Sequence, residues 1–295
     1  MHTTVDTVLA PPASHRFAQR WLAALACFVA GAATLGARWI SDDIVRFAWV
    51  ALLCALFFVS ALLLRRAANA AWAVPFAFGI FAVVQLLNNS LPAFVAEQIL
   101  YAPSTPGNPL AGTVSASVLI QLLETAIAVV PVVWLTLASG QSLDSIYMRA
   151  STPRRWLIAA VVFFVLVCVF VATRGASRIL PTNAPVSLSL APALLLMVFA
   201  NGLQEEVLFR GLFLDKYAAL FGAGLANVVQ AMVFTFAHLG ITYSSSAALF
   251  LVLAVFPLGL LAGYLMRATN SILVPLIVHA TLDVPIYLVF LSSVS

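Results

Sequence analysis

The chain has 295 residues, 63% of them hydrophobic and 8% charged, against roughly 25% charged in soluble domains. Such a composition lacks the polar side chains needed to cover a water-facing surface, so it identifies an integral membrane protein. The formal net charge of +4 is small and dispersed over loops; it reports topology and excludes nucleic-acid binding as the organising property.

Residues 1–19 are polar, contain Pro11 and Pro12, and hold no apolar stretch long enough for a secretion signal. They read as a disordered cytoplasmic tail. Charge-free runs of spanning length then recur. Residues 21–37 lie between Arg20 and Arg38, and residues 47–64 between Arg46 and Arg65. A third span is predicted over 71–91 and a fourth over 115–137, the latter containing Glu124. Residues 20–138 thus form an N-terminal set of transmembrane helices. The basic loop 139–155, with Arg149, Arg154 and Arg155, separates them from a membrane module over 156–295. There, helices are predicted over 156–173, 192–220, 225–238, 247–266 and 272–291, with Gly222 and Gly224 breaking the second from the third.

Strict period-two alternation is missing and the runs are too long for barrel strands. The fold class is therefore all-α, a polytopic transmembrane bundle of about eight or nine helices. Cys27, Cys54 and Cys168 all fall inside apolar spans, so neither a disulfide framework nor a cysteine zinc site is indicated. No internal repeat is visible, which counts against the repeat-built transporters. With nine spans, a cytoplasmic N-terminus puts most arginines inside, including Arg16, Arg20, Arg65, Arg66 and Arg267, as the positive-inside bias requires. That assignment places the protein in the cytoplasmic membrane.

The run Asn-Gly-Leu-Gln-Glu-Glu-Val-Leu-Phe-Arg at 201–210 interrupts an apolar helix, where each ionisable group costs a few kcal/mol or more to insert. Glu206 and Arg210 are four apart and share a helix face, so each can neutralise the other. Glu205 points roughly 100° away and has no such partner on its own helix. Two further interruptions follow. Phe234 and His238 share a face, with Asn227 on the same stripe, and so do His279 and Asp283. His2 and His15 lie in the tail, so both remaining histidines belong to the module that holds Glu205.

Taken in order, Glu205-Glu206-x-x-x-Arg210-Gly211, Phe234-x-x-x-His238 and His279-x-x-x-Asp283 resemble the motifs of the CAAX protease and bacteriocin-processing family, the type II CAAX prenyl endopeptidases. The stretch Ser142 to Ile146 before Arg154 and Arg155 is similar to the family's entry into its core. The resemblance covers roughly the last hundred residues. It implies an intramembrane endopeptidase in which Glu205, helped by His238, activates a water. Arg210 would hold Glu206, and His279 with residue 283 would stabilise the oxyanion. The substrate would be a peptide or a membrane protein, of the CAAX or the bacteriocin type. The family often carries Asn at the last position. An ionised Asp283 cannot donate to an oxyanion, so it is protonated, orients His279, or leaves a weaker site.

The bland readings are a structural ion pair for Glu206 and Arg210, a helix-to-helix hydrogen bond for His238, and a kink cap for Asp283 beside Pro285. The expected chemistry uses no cofactor. A zinc alternative would use Glu205, His238 and His279 with one open position, although the His-Glu-x-x-His spacing is absent. Two further alternatives are a proton-coupled transporter, whose intramembrane Glu and His relay protons, and a catalytically silent scaffold of the same fold. Helix rise sets one more condition. At 1.5 Å per residue, Glu205 and His238 each lie roughly 20 Å along their helices from opposite ends. Their meeting predicts tilt, or a break near Gly222 and Gly224, and a polar cavity between helices six, seven and nine.

Overall fold

The computed structural model describes residues 13–95, 113–149, 152–175, 188–239 and 251–294; all statements below concern these. Glu97, the loop 103–109 and the start of the helix predicted from 247 lie outside them. Among the described residues there is no strand, and the all-α bundle is as expected.

Helix α1 spans Ala13–Leu35 and continues as a 3-10 turn, Gly36–Trp39. It starts inside the segment expected as tail, because Ala13, Phe17, Ala18 and Gln19 are tolerable helix residues directly after a proline pair, and Pro suits a helix start. Helix α2 is Asp43–Arg66, with Asp42 accepting from the Val45 N–H at 2.9 Å as its N-cap. Helix α3 is Ala73–Asn88, α4 Val114–Ala138 and α5 Arg154–Phe170. Helix α6, Ala191–Glu205, runs without a break into a π-helical stretch, Glu206–Gly211. Helix α7, Leu214–Phe221, then ends at Gly222, whose φ of +89° only glycine adopts readily. Gly224 lies inside α8, Ala223–Ala237, so the break rests on Gly222 alone. Helices α9, Phe256–Thr269, and α10, Leu273–Ser293, complete the bundle.

Seven stretches are long and apolar enough to cross a membrane, among them the third, Ala70–Phe94, which carries a 3-10 turn before α3 and a short turn after it; two shorter apolar helices accompany them. Outward faces are rich in Leu, Val, Ile and Phe, as on α2, where Leu52, Leu56, Val59 and Leu63 are exposed. That surface suits lipid, not water.

The N-terminal helices and the C-terminal module share one core. Phe78 and Phe81 of α3 meet the ring of Phe213 at 4.8 and 5.6 Å, and Phe81 meets Phe209 at 5.9 Å. Helix α8 approaches α9 closely. A side chain on Gly263 would collide with Asn227, whose amide donates to the Leu260 carbonyl at 2.9 Å. Asn227 therefore joins two helices, although it shares a sequence stripe with His238. The loop before α5 tucks beneath the π stretch. Ile146 and Tyr147 are buried, and the Tyr147 hydroxyl donates to Asp215. Burial and this carboxylate raise the phenol pKa, so it stays a donor.

Candidate active site

The polar cluster forms where α6 changes its winding. Helical stretches with one extra residue per turn recur at functional sites, and here the change begins at Glu206. Glu206 and Arg210 are both fully buried, with Arg210 Nη1 3.0 Å from Glu206 Oε1. The same oxygen lies 2.7 Å from His279 Nδ1 on α10. Glu206 thus meets one cation from its own helix and an imidazole from seventy-three residues onward. The Arg210 guanidinium sits 3.8 Å above the Phe234 ring of α8, a cation–π contact in a water-poor setting.

Glu205, without a partner on its own helix, takes one from α10. His279 Nε2 lies 3.3 Å from Glu205 Oε2 and 3.9 Å from Asp283 Oδ2. Both imidazole nitrogens face carboxylates, an arrangement that an imidazolium with two N–H donors satisfies. The two glutamates differ in access. The Glu205 side chain retains 17% exposure and Glu206 none. Pairing has consumed the second carboxylate and left the first at the edge of the cluster.

His238 caps the end of α8. Its ring Nδ1 lies 2.9 Å from the Phe234 carbonyl, and a carbonyl only accepts, so Nδ1 carries a proton and the neutral ring would present its lone pair on Nε2. Phe234 is edge-on to both imidazoles, with centroids 4.6 Å from His238 and 5.9 Å from His279. One phenyl ring therefore borders both histidines and the arginine. Of the six residues picked from sequence, Glu205, Glu206, Arg210, His279 and Asp283 form one contiguous polar cluster. His238 reaches its edge through Phe234. Among the described residues no three His, Cys, Asp or Glu side chains are grouped so as to hold a metal.

The residues that hold Asp283 stand outside the three sequence motifs. Asn201 Nδ2 donates to Asp283 Oδ2 at 2.9 Å, and Gln204 Nε2 donates to Asn201 Oδ1 at 3.3 Å. Gln121 Nε2 on α4 donates to Gln204 Oε1 at 3.4 Å, and the Tyr287 hydroxyl donates to Gln121 Oε1 at 2.9 Å. Every donor in this series points toward Asp283. The available signal was polar pairing at helical spacing, Gln121 with Thr125 and Asp283 with Tyr287, inside otherwise apolar helices.

Residues 187–285 match the family model described as Rce1-like, type II CAAX prenyl endopeptidase Rce1-like. The match spans roughly one third of the chain and contains all six residues. It bears out the resemblance read from the motifs: this part of the chain is similar to a protease family. Comparison with curated proteins and with solved structures gives no match.

Proposed function

From the match of residues 187–285 to the type II CAAX prenyl endopeptidase family, we propose that this membrane protein is an intramembrane endopeptidase in which Glu205 activates the hydrolytic water. The observation that carries the reading is the unequal fate of the adjacent glutamates. Glu206 is fully buried between Arg210 and His279, whereas the Glu205 side chain, its Oε2 turned to the His279 ring, stays partly exposed.

Water bound between Glu205 and the free Nε2 of His238 gives its proton to Glu205, and the oxygen attacks the scissile carbonyl carbon. The carbonyl π electrons move onto oxygen. His279 Nε2–H, displaced from Glu205 by the substrate, donates to that oxyanion, the kind of preorganised donor that supplies a large share of rate. When the tetrahedral intermediate collapses, the C–N bond breaks and the proton on Glu205 passes to the leaving amine. Asp283 takes no part as a donor. Its acceptance of the Asn201 N–H and its place 3.9 Å from His279 support the role of orienting the imidazole.

No metal enters this scheme. The substrate is a peptide segment delivered within the bilayer, of the prenylated CAAX kind or another membrane-protein processing site. The arginine distribution supports a cytoplasmic N-terminus, so a cysteine replacing Ser142 should label from inside only.

The decisive experiment is hydrolysis of a peptide library by detergent-purified protein, wild type against Glu205→Gln. The amide keeps size and hydrogen bonding but cannot act as base, so cleavage should vanish while folded yield persists. Cleavage should also survive a strong chelator. Full activity in Glu205→Gln would falsify the mechanism, and loss with chelator, restored by zinc, would favour the metal reading.

A further inference from the structure

Arg38 lies at the end of α1, far outside the matched residues. Its guanidinium donates from Nη1 to the Ala237 carbonyl at 2.5 Å, and from Nη2 to the Phe236 carbonyl at 3.1 Å and to the Leu239 carbonyl. These three carbonyls bracket His238 on both sides. The last carbonyls of any helix have no partner within it, and a planar fork of five N–H donors can serve several at once. A cation there also complements the negative end of the helix.

The rest of the seam holds the fork in place. At Gly31 an added Cβ would come within 2.9 Å of Val233, so α1 and α8 touch almost backbone to side chain. The Trp39 ring meets Phe236 edge-on at 5.2 Å, and the Arg38 guanidinium carbon stands 4.8 Å from the Trp39 centroid. His238 follows directly on the last helical residue, where terminal turns open at little free-energy cost. The Nδ1 bond to Phe234 sets the ring. From α8 itself the backbone that carries it has only the tight-turn bonds of the His238 N–H to the Thr235 carbonyl at 3.0 Å and of the Leu239 N–H to the Phe236 carbonyl at 3.1 Å.

We propose that Arg38 is a positioning residue. By clamping the carbonyls on either side of His238, it presents Nε2 to the water shared with Glu205. The proposal rests on the peptidase reading, and it gives the first transmembrane helix a part in the site.

The test is steady-state kinetics of Arg38→Ala, Arg38→Lys, His238→Ala and the double variant Arg38→Ala with His238→Ala, each normalised to folded protein. Arg38→Ala should lower kcat roughly 10- to 100-fold, the scale of a misplacement near 1 Å, with KM nearly unchanged. Arg38→Lys should recover part of it. The double variant should be no worse than His238→Ala, because residues acting through one group are non-additive. Unchanged kcat in Arg38→Ala, or losses that multiply in the double variant, would overturn the proposal. If Arg38→Ala does not fold, Arg38→Gln, which keeps one amide donor, takes its place in the same cycle. Glu205→Gln is assayed alongside, so retained cleavage there marks failure of the peptidase reading instead. In that event a nitroxide attached through His238→Cys, with the three native cysteines replaced by serine, still decides the clamp. Its spectrum should become more mobile with Arg38→Ala, and no change would refute it.

Discussion

Helix α2 and the stretch Ala191–Phe221 are both long and apolar enough to cross a membrane, yet they meet it in opposite ways. Of their most apolar windows, 11% of α2 is buried and 44% of Ala191–Phe221. In α2 the charges Asp43, Arg46, Arg65 and Arg66 stand at the ends, where long side chains reach polar surroundings. In Ala191–Phe221 Asn201, Gln204, Glu205, Glu206 and Arg210 stand near the middle, and each finds its partner inside the bundle. A helix that is apolar throughout is wall. One that is interrupted by polar groups is tolerated only where neighbours satisfy them, and that demand gathers α4, α6, α8 and α10 around one cluster.

The sharpest way to break this contrast is Arg210→Ala. It leaves Glu206 buried with only His279 beside it, and removing one partner of a buried pair costs about 3–5 kcal/mol. Folded yield in detergent and activity should fall together. Glu206→Gln combined with Arg210→Met removes both charges and should restore yield but not cleavage, since His279 loses the carboxylate that fixes its Nδ1. If the double variant is no better folded than the single one, the pair does not hold the site together.

Much of this was legible in the residues. The charge-free runs gave the helices, and the four-residue spacing gave the Glu206–Arg210 pair, because both depend only on local geometry. The second partner of Glu206 was not legible, since His279 comes from a distant helix and nothing local fixes which carboxylate it meets. The π stretch was not legible either. The expected break near Gly222 exists, but the winding changes sixteen residues earlier, at Glu206, and no glycine or proline marks its start. Asn201 and Gln204 were visible as polar residues on the helix. Their direction toward Asp283 needed the packing of α4 and α10.

A smaller effect should follow Asn201→Leu. The change removes the N–H held by Asp283 Oδ2 and ends the series of donors that starts at Tyr287. A buried acceptor left unpaired costs about 1–3 kcal/mol, so melting temperature should drop modestly. Activity should drop more, with kcat falling and KM steady, if Asp283 orients His279. Asp283→Asn supplies a neutral amide at the same position, and its purified activity at or above wild type would mean the carboxylate is not needed for that role. Equal kinetics in Asn201→Leu and wild type would remove Asn201 from the site altogether.

The smallest effect belongs to the wall. Leu52 and Leu56 on α2 are each 52% exposed, and on this bundle the exposed side faces acyl chains as apolar as leucine itself. Truncation there opens no cavity, because lipid fills the space that protein would have to collapse around. Leu56→Ala should change stability by no more than about 0.5 kcal/mol and leave cleavage untouched. Phe78→Ala is the control. It removes a buried ring, 3% exposed and packed 4.8 Å from Phe213, and should cost about 3–5 kcal/mol. Thermal unfolding of the two variants in the same lipid or detergent decides the matter. A large loss for Leu56→Ala would mean that this face of α2 is covered by protein, a second copy or a partner, and that what reads here as wall is an interface.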